Sequence, residues 1–91
     1  AFARGQTLRN RWHGVLIRGR YASFLAAAGR HAEAAAEWAA TVAGFRAHDD
    51  PWMLSFALQG AAVSALALGA PSEAARHAAE AVAVQRDDPD P

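Results

Sequence analysis

Residues 51–72, PWMLSFALQGAAVSALALGAPS, run for twenty-two positions without a charged side chain, in a chain where 20% of residues are charged. Such a run has to be buried on most sides, either in lipid or against other helices of the same protein. About 20 apolar residues suffice to cross a bilayer, and Trp52 sits near one end, where an interfacial anchor would stand. The composition argues against lipid. Ser55, Gln59, Gly60 and Ser64 interrupt the run, many of the other residues are alanines with little transfer gain, and neither end carries the Lys or Arg that orients a spanning helix.

The run has a twin. With a period of 40, residues 11–51 laid over 51–91 without a gap match at Trp12/Trp52, Ala22/Ala62, Ala27/Ala67, Gly29/Gly69, Glu33/Glu73, Ala34/Ala74, Val42/Val82, Arg46/Arg86 and Pro51/Pro91, with further alanine matches between. Self-similarity at 20 to 50 residues is the signature of a repeat architecture. The twin of the uncharged run contains Arg11, Arg18 and Arg20, which a bilayer would exclude. Both segments therefore read as parts of a soluble, cytoplasmic protein with no membrane contact.

Length and composition fit one domain of all-α class. Ninety-one residues are the size of a single small domain. Twenty-six of them are alanine, the strongest helix former, and β-branched residues are few. An alanine-rich core buries little area per residue, so stability has to come from close approach of helix backbones. Cysteine is absent, which excludes disulfides and thiolate metal sites. Net charge is zero but unevenly spread: six arginines precede the first acid, Glu33, whereas Asp87, Asp88 and Asp90 close the sequence. The first residue is Ala rather than Met and no signal peptide is visible, as expected of a fragment of a larger protein.

Along the chain, residues 1–6 carry no strong pattern and read as a lead-in. Helices are expected over about 8–28, 32–47, 51–68 and 71–86, forming two antiparallel hairpins. In the first, Trp12, Val15, Leu16, Gly19, Ala22, Leu25 and Ala26 follow three-and-four spacing, and Gly29 stops it by adopting the left-handed turn. The second places Ala34, Trp38, Val42 and Phe45 on one stripe with Glu33, Glu37 and Arg46 outside it. Asp49, Asp50 and Pro51 punctuate, with an aspartate to accept free backbone N–H groups and a proline at the first helical position. Gly69 and Pro71 repeat the break. On the last helix Glu73/His77 and Arg76/Glu80 stand at i,i+4, suiting a solvated face.

Over residues 11–88 the pattern Gly29, Glu33, Ala34, Trp38, Thr41, Val42, repeated as Gly69, Glu73, Ala74, Ala78, Ala81, Val82, resembles the tetratricopeptide repeat, with the small residue of the first helix at Ala22 and Ala62. The spacing of 40 resembles the longer variety found in regulatory regions of bacterial signal-transduction proteins. Ala78 replaces the family's usual aromatic core residue, and alanine replaces the glycine of the first helix. The resemblance implies a TPR-like α-solenoid fragment, repeat 1 over about 11–50 and repeat 2 over about 51–88, stacked in a right-handed array. It also implies a concave surface made by the first helix of each pair: Leu16, Gly19, Arg20, Ser23 and Ala27 with Phe56, Gln59, Val63 and Ala67. Such a groove is mainly apolar and suits a partner protein's amphipathic helix or extended apolar peptide.

No residues of a catalytic or metal site stand out. His13, His31, His48 and His77 have no metal-ligand spacing among them, and no nucleophile motif or phosphate-cradling loop is present. The chain reads as a non-enzyme without cofactor or metal. Trp12, Trp38 and Trp52 stand at helix-packing spacings and read as core. Arg4, Arg11 and Arg18 are seven apart on one face, an electrostatic patch that a phosphate backbone could meet. Nucleic acid is the less favoured partner, because aromatic residues interleaved with these arginines are few. Three functional classes follow: a scaffold for protein–protein interaction, a DNA-associated regulator with a basic first helix, and an assembly-only domain. A solenoid this short needs neighbouring repeats or a second copy to cover its faces.

Overall fold

The computed structural model describes residues 2–87, with side chains over residues 7–86. Four helices follow one another: α1 (Phe2–Ala27), α2 (His31–Ala47), α3 (Pro51–Ala67) and α4 (Pro71–Asp87). The described residues are all-α. Each helix packs against the next, and α1 touches α3 over a short stretch, so the hairpins α1–α2 and α3–α4 lie side by side in a slab 47 × 30 × 16 Å.

Local chemistry sets the boundaries. At the end of α1, Arg30 N–H donates to Leu25 C=O and Gly29 N–H to Ala26 C=O, with Gly29 at φ 80°. The same pair of bonds closes α3, through Ala70 to Ala65 and Gly69 to Leu66, with Gly69 at φ 79°. This is the paired closure that satisfies the last carbonyls when one residue turns left-handed. The end of α2 repeats it with Asp49 at φ 54°, where an aspartate tolerates a conformation most side chains avoid. Helix α1 begins at Phe2, well before the expected start near residue 8. Residues 2–7 carry no proline, and nothing in their sequence stops a helix already formed behind them.

Asp50 is the joint between the hairpins. Its Oδ1 accepts from Met53 N–H at 3.2 Å, capping α3, and its Oδ2 accepts from Trp12 Nε1 at 2.9 Å, which ties α1 to the start of α3. Pro51 occupies the first helical position, where its missing N–H costs nothing. Asp50→Ala removes both bonds and should cost about 2 kcal/mol, part from the cap and part from the stranded indole N–H. A lowered urea midpoint with an unchanged slope would show it; a midpoint shift no larger than that of an exposed alanine substitution would contradict it.

The core is a line of contacts between successive helices. Ala22, Leu25, Ala34, Trp38, Phe45, Leu54, Ala57, Leu58, Ala61 and Ala81 form one buried cluster, with Trp12, Val15, Leu16, Ala26 and Val42 packed against it. The full burial of Leu25, Phe45 and Leu58 contributes about 1.5–3 kcal/mol each. Glycines allow the closest approaches. A Cβ on Gly44 would stand 2.6 Å from Val15 Cγ2, and one on Gly60 2.3 Å from Trp38 Cε2, so the Trp38 ring lies directly on the backbone of α3. Ser55 Oγ donates to Ala81 C=O at 3.2 Å, joining α3 to α4 inside the core. Surface ion pairs join separate helices: Arg18 to Glu37 at 3.3 Å between α1 and α2, and Arg46 to Glu80 at 2.8 Å between α2 and α4.

Several expectations are corrected. The uncharged run is not buried on most sides, because α3 has α2 and α4 on two flanks while Trp52, Phe56, Val63, Leu66 and Leu68 stay exposed. Trp52 is 49% exposed and is not core, unlike its twin Trp12. The partner of Trp12 is Asp50, and the equivalent of Asp50 forty residues on is Asp90, outside the described residues. Ala78 is exposed rather than core, since no described helix covers that side of α4. Glu73 does meet His77, at 3.6 Å, but Glu80 pairs with Arg46 of the neighbouring hairpin in place of Arg76, which lies 3.9 Å from Glu73. No helix among the described residues is long and apolar enough to cross a membrane.

Candidate functional site

Consecutive antiparallel helices put α1 and α3 in one layer, with α2 below and between them. A groove of about 320 Å³ opens between α1 and α3, walled by Ser23 on one side and Phe56, Gln59 and Val63 on the other. Trp38 of α2 makes its floor, with Ala26 and Gly60 at its edges. The Trp38 and Phe56 rings meet edge to face, centroids 5.4 Å apart at 76°, a favoured aromatic geometry. Gly19 lies beneath: a Cβ there would stand 3.2 Å from Thr41 Cγ2, a crowded approach, and 3.4 Å from Phe56 Cε2, an ordinary contact.

The expected concave set is thus brought together in part. Ser23, Phe56, Gln59 and Val63 share the groove. Gly19 is buried under it, and Leu16 is half-buried against the core. Arg20, Ala27 and Ala67 are exposed but do not line it. The floor residue Trp38, which its spacing places in the core, is buried, at 3% exposure. Its second role depends on Gly60, whose missing Cβ lets the ring lie against the backbone of α3. The groove's polar content is small: Gln59 Nε2 donates to Ser55 Oγ at 3.4 Å.

The arginine face opens on a different surface. Arg11 and Arg18 line a broader groove between α1 and α2, and Arg4 falls outside the residues whose side chains are described. Arg18 is paired with Glu37, so part of that positive charge is already matched. Among the described residues no three His, Cys, Asp or Glu side chains converge as a metal site would require. Compared with known proteins, the chain matches no family model, no curated protein and no solved structure.

Proposed function

We propose that this chain is a tetratricopeptide-like interaction module of a cytoplasmic regulatory protein, without chemistry of its own, and that its α1/α3 groove receives the apolar face of a partner's amphipathic helix. The observation that carries this reading is the placement of Phe56 and Val63. Both are large apolar side chains left exposed beside a recess whose floor, Trp38, is locked by close packing on Gly60. A pre-formed recess with an aromatic wall loses little freedom when a partner docks, and such aromatic anchors carry most of the energy of small interfaces. The walls offer apolar contact with one amide and one hydroxyl, from Gln59 and Ser23, and no cationic side chain, which suits the apolar face of a helix better than an acidic peptide tail. The repeat of forty residues and the twinned Gly-x-x-x-Glu-Ala turns support the family reading.

The experiment selects amphipathic helical peptides from a displayed library against the chain and compares their affinity for Phe56→Asp. Loss of about 2 kcal/mol, roughly thirtyfold, is expected, with helical circular dichroism unchanged. Equal affinity for the variant, or no helical peptide selected at all, would defeat the reading.

A further inference from the structure

The repeat places a second apolar surface on the outside of α1. Ala57, Gly60, Ala61 and Ser64 share the face of α3 that turns to α2, where Gly60 lies under Trp38 and Ala61 stands near Ala35, Ala39 and Val42. Forty residues earlier the same positions hold Ile17, Arg20, Tyr21 and Phe24, and there the three apolar side chains are 65%, 50% and 68% exposed. The face of α1 that corresponds to the α2-binding face of α3 is therefore bulky, apolar and uncovered. At the other end, the α2 residues that meet α3 have their twins on α4 at Ala75, Ala78, Ala79 and Val82, all exposed.

We infer that these two end faces bind each other between copies of this chain, α4 of one molecule seating on the Ile17/Tyr21/Phe24 face of α1 of the next, in a head-to-tail stack. Size complementarity supports this occupant. Inside the chain a large residue of α2 lies on small residues of α3; at the ends the roles are exchanged, with large residues on α1 and small ones on α4. Charge supports it too. Adjacent helices in the slab are antiparallel, so the C-terminal end of α4, at Asp87, would come beside the N-terminal half of α1, whose outer stripe is flanked by Arg9. The contact uses two different surfaces, so it does not close on itself and can continue from copy to copy. One internal tie is not reproduced: Arg46 pairs with Glu80, but the residue forty before Glu80 is Ala40.

The test is sedimentation of the chain with two exposed-face variants, Phe24→Glu and Val82→Glu, each checked for unchanged helicity. The unaltered chain should show an average mass that rises with concentration and passes the dimer. Each variant alone should sediment as a monomer. Mixed, they should form a 1:1 dimer, because each retains the face the other lacks. A monomeric unaltered chain at every concentration it tolerates overturns the inference. So does a Val82→Glu chain that still dimerises, which would mean that α1 faces pair with themselves. A groove occupied by the second copy would instead show Phe56→Asp abolishing association and Phe24→Glu leaving it intact, which also overturns it.

Discussion

Trp38→Ala is expected to be the most damaging single substitution in the chain, with a loss of about 3–5 kcal/mol. The indole is 3% exposed, is pressed onto the Gly60 backbone, meets Phe56 edge to face and floors the α1/α3 groove, so its removal empties space that two hairpins share. An alanine-rich interface collapses poorly into that space, since Ala57 and Ala61 of the same buried cluster carry only methyl groups. Small domains have only about 5–15 kcal/mol of stability in hand. The variant should be largely unfolded at moderate urea where the unaltered chain is native, and a midpoint within the scatter of surface mutants would refute the packing described for α2 and α3.

Gly60→Ala should show the same interface from the other side. In an exposed helix interior, glycine to alanine stabilises by about 0.5–1 kcal/mol, because the unfolded chain loses freedom. Gly14 provides that reference, with nothing within 4 Å of a built Cβ on α1. At Gly60 the added methyl meets Trp38 Cε2, Cζ2 and Cδ2 at 2.3, 2.4 and 2.6 Å, atoms of a rigid buried ring rather than the end of a flexible side chain. Overpacking of this kind costs about 1–3 kcal/mol, which outweighs the propensity gain. The two substitutions should therefore have opposite signs in thermal melting. If both raise the midpoint, the Trp38 ring is not held where it is described.

The elements were legible in sequence where the signal is local. Gly29, Gly69, Asp50 and Pro51 mark helix ends through backbone chemistry that needs no neighbour, and three of the four expected helices lie within about a residue or two of their positions. The start of α1 was not legible, because residues 2–7 neither favour nor forbid helix and simply extend one that α2 supports. Trp12 and Trp52 show the limit more sharply: identical residues at identical repeat positions, one bonded to Asp50 and packed on Phe45 at 5.9 Å, the other half in solvent. What separates them is which helices lie alongside, and no window of sequence contains that. Likewise, an absence of charge over residues 51–72 does not by itself mean burial, because a helix packed mainly on two flanks still has a third. Of the groove, Phe56, Gln59, Val63 and Ser23 came from the tetratricopeptide resemblance, whereas the floor rests on the close approach of Trp38 of α2 to Gly60 of α3, which no single stretch contains.

The bond from Trp12 to Asp50 leaps over α2. In an array where each rod rests only on its successor, an end can peel away and leave the remainder undisturbed, as a zipper opens tooth by tooth. Here the first rod also grips the capping carboxylate of the third, so peeling α1 frees that carboxylate's partner and loosens the opening turn of the next hairpin. The two halves are thereby yoked, and melting begun at one edge is passed across the seam instead of stopping at it.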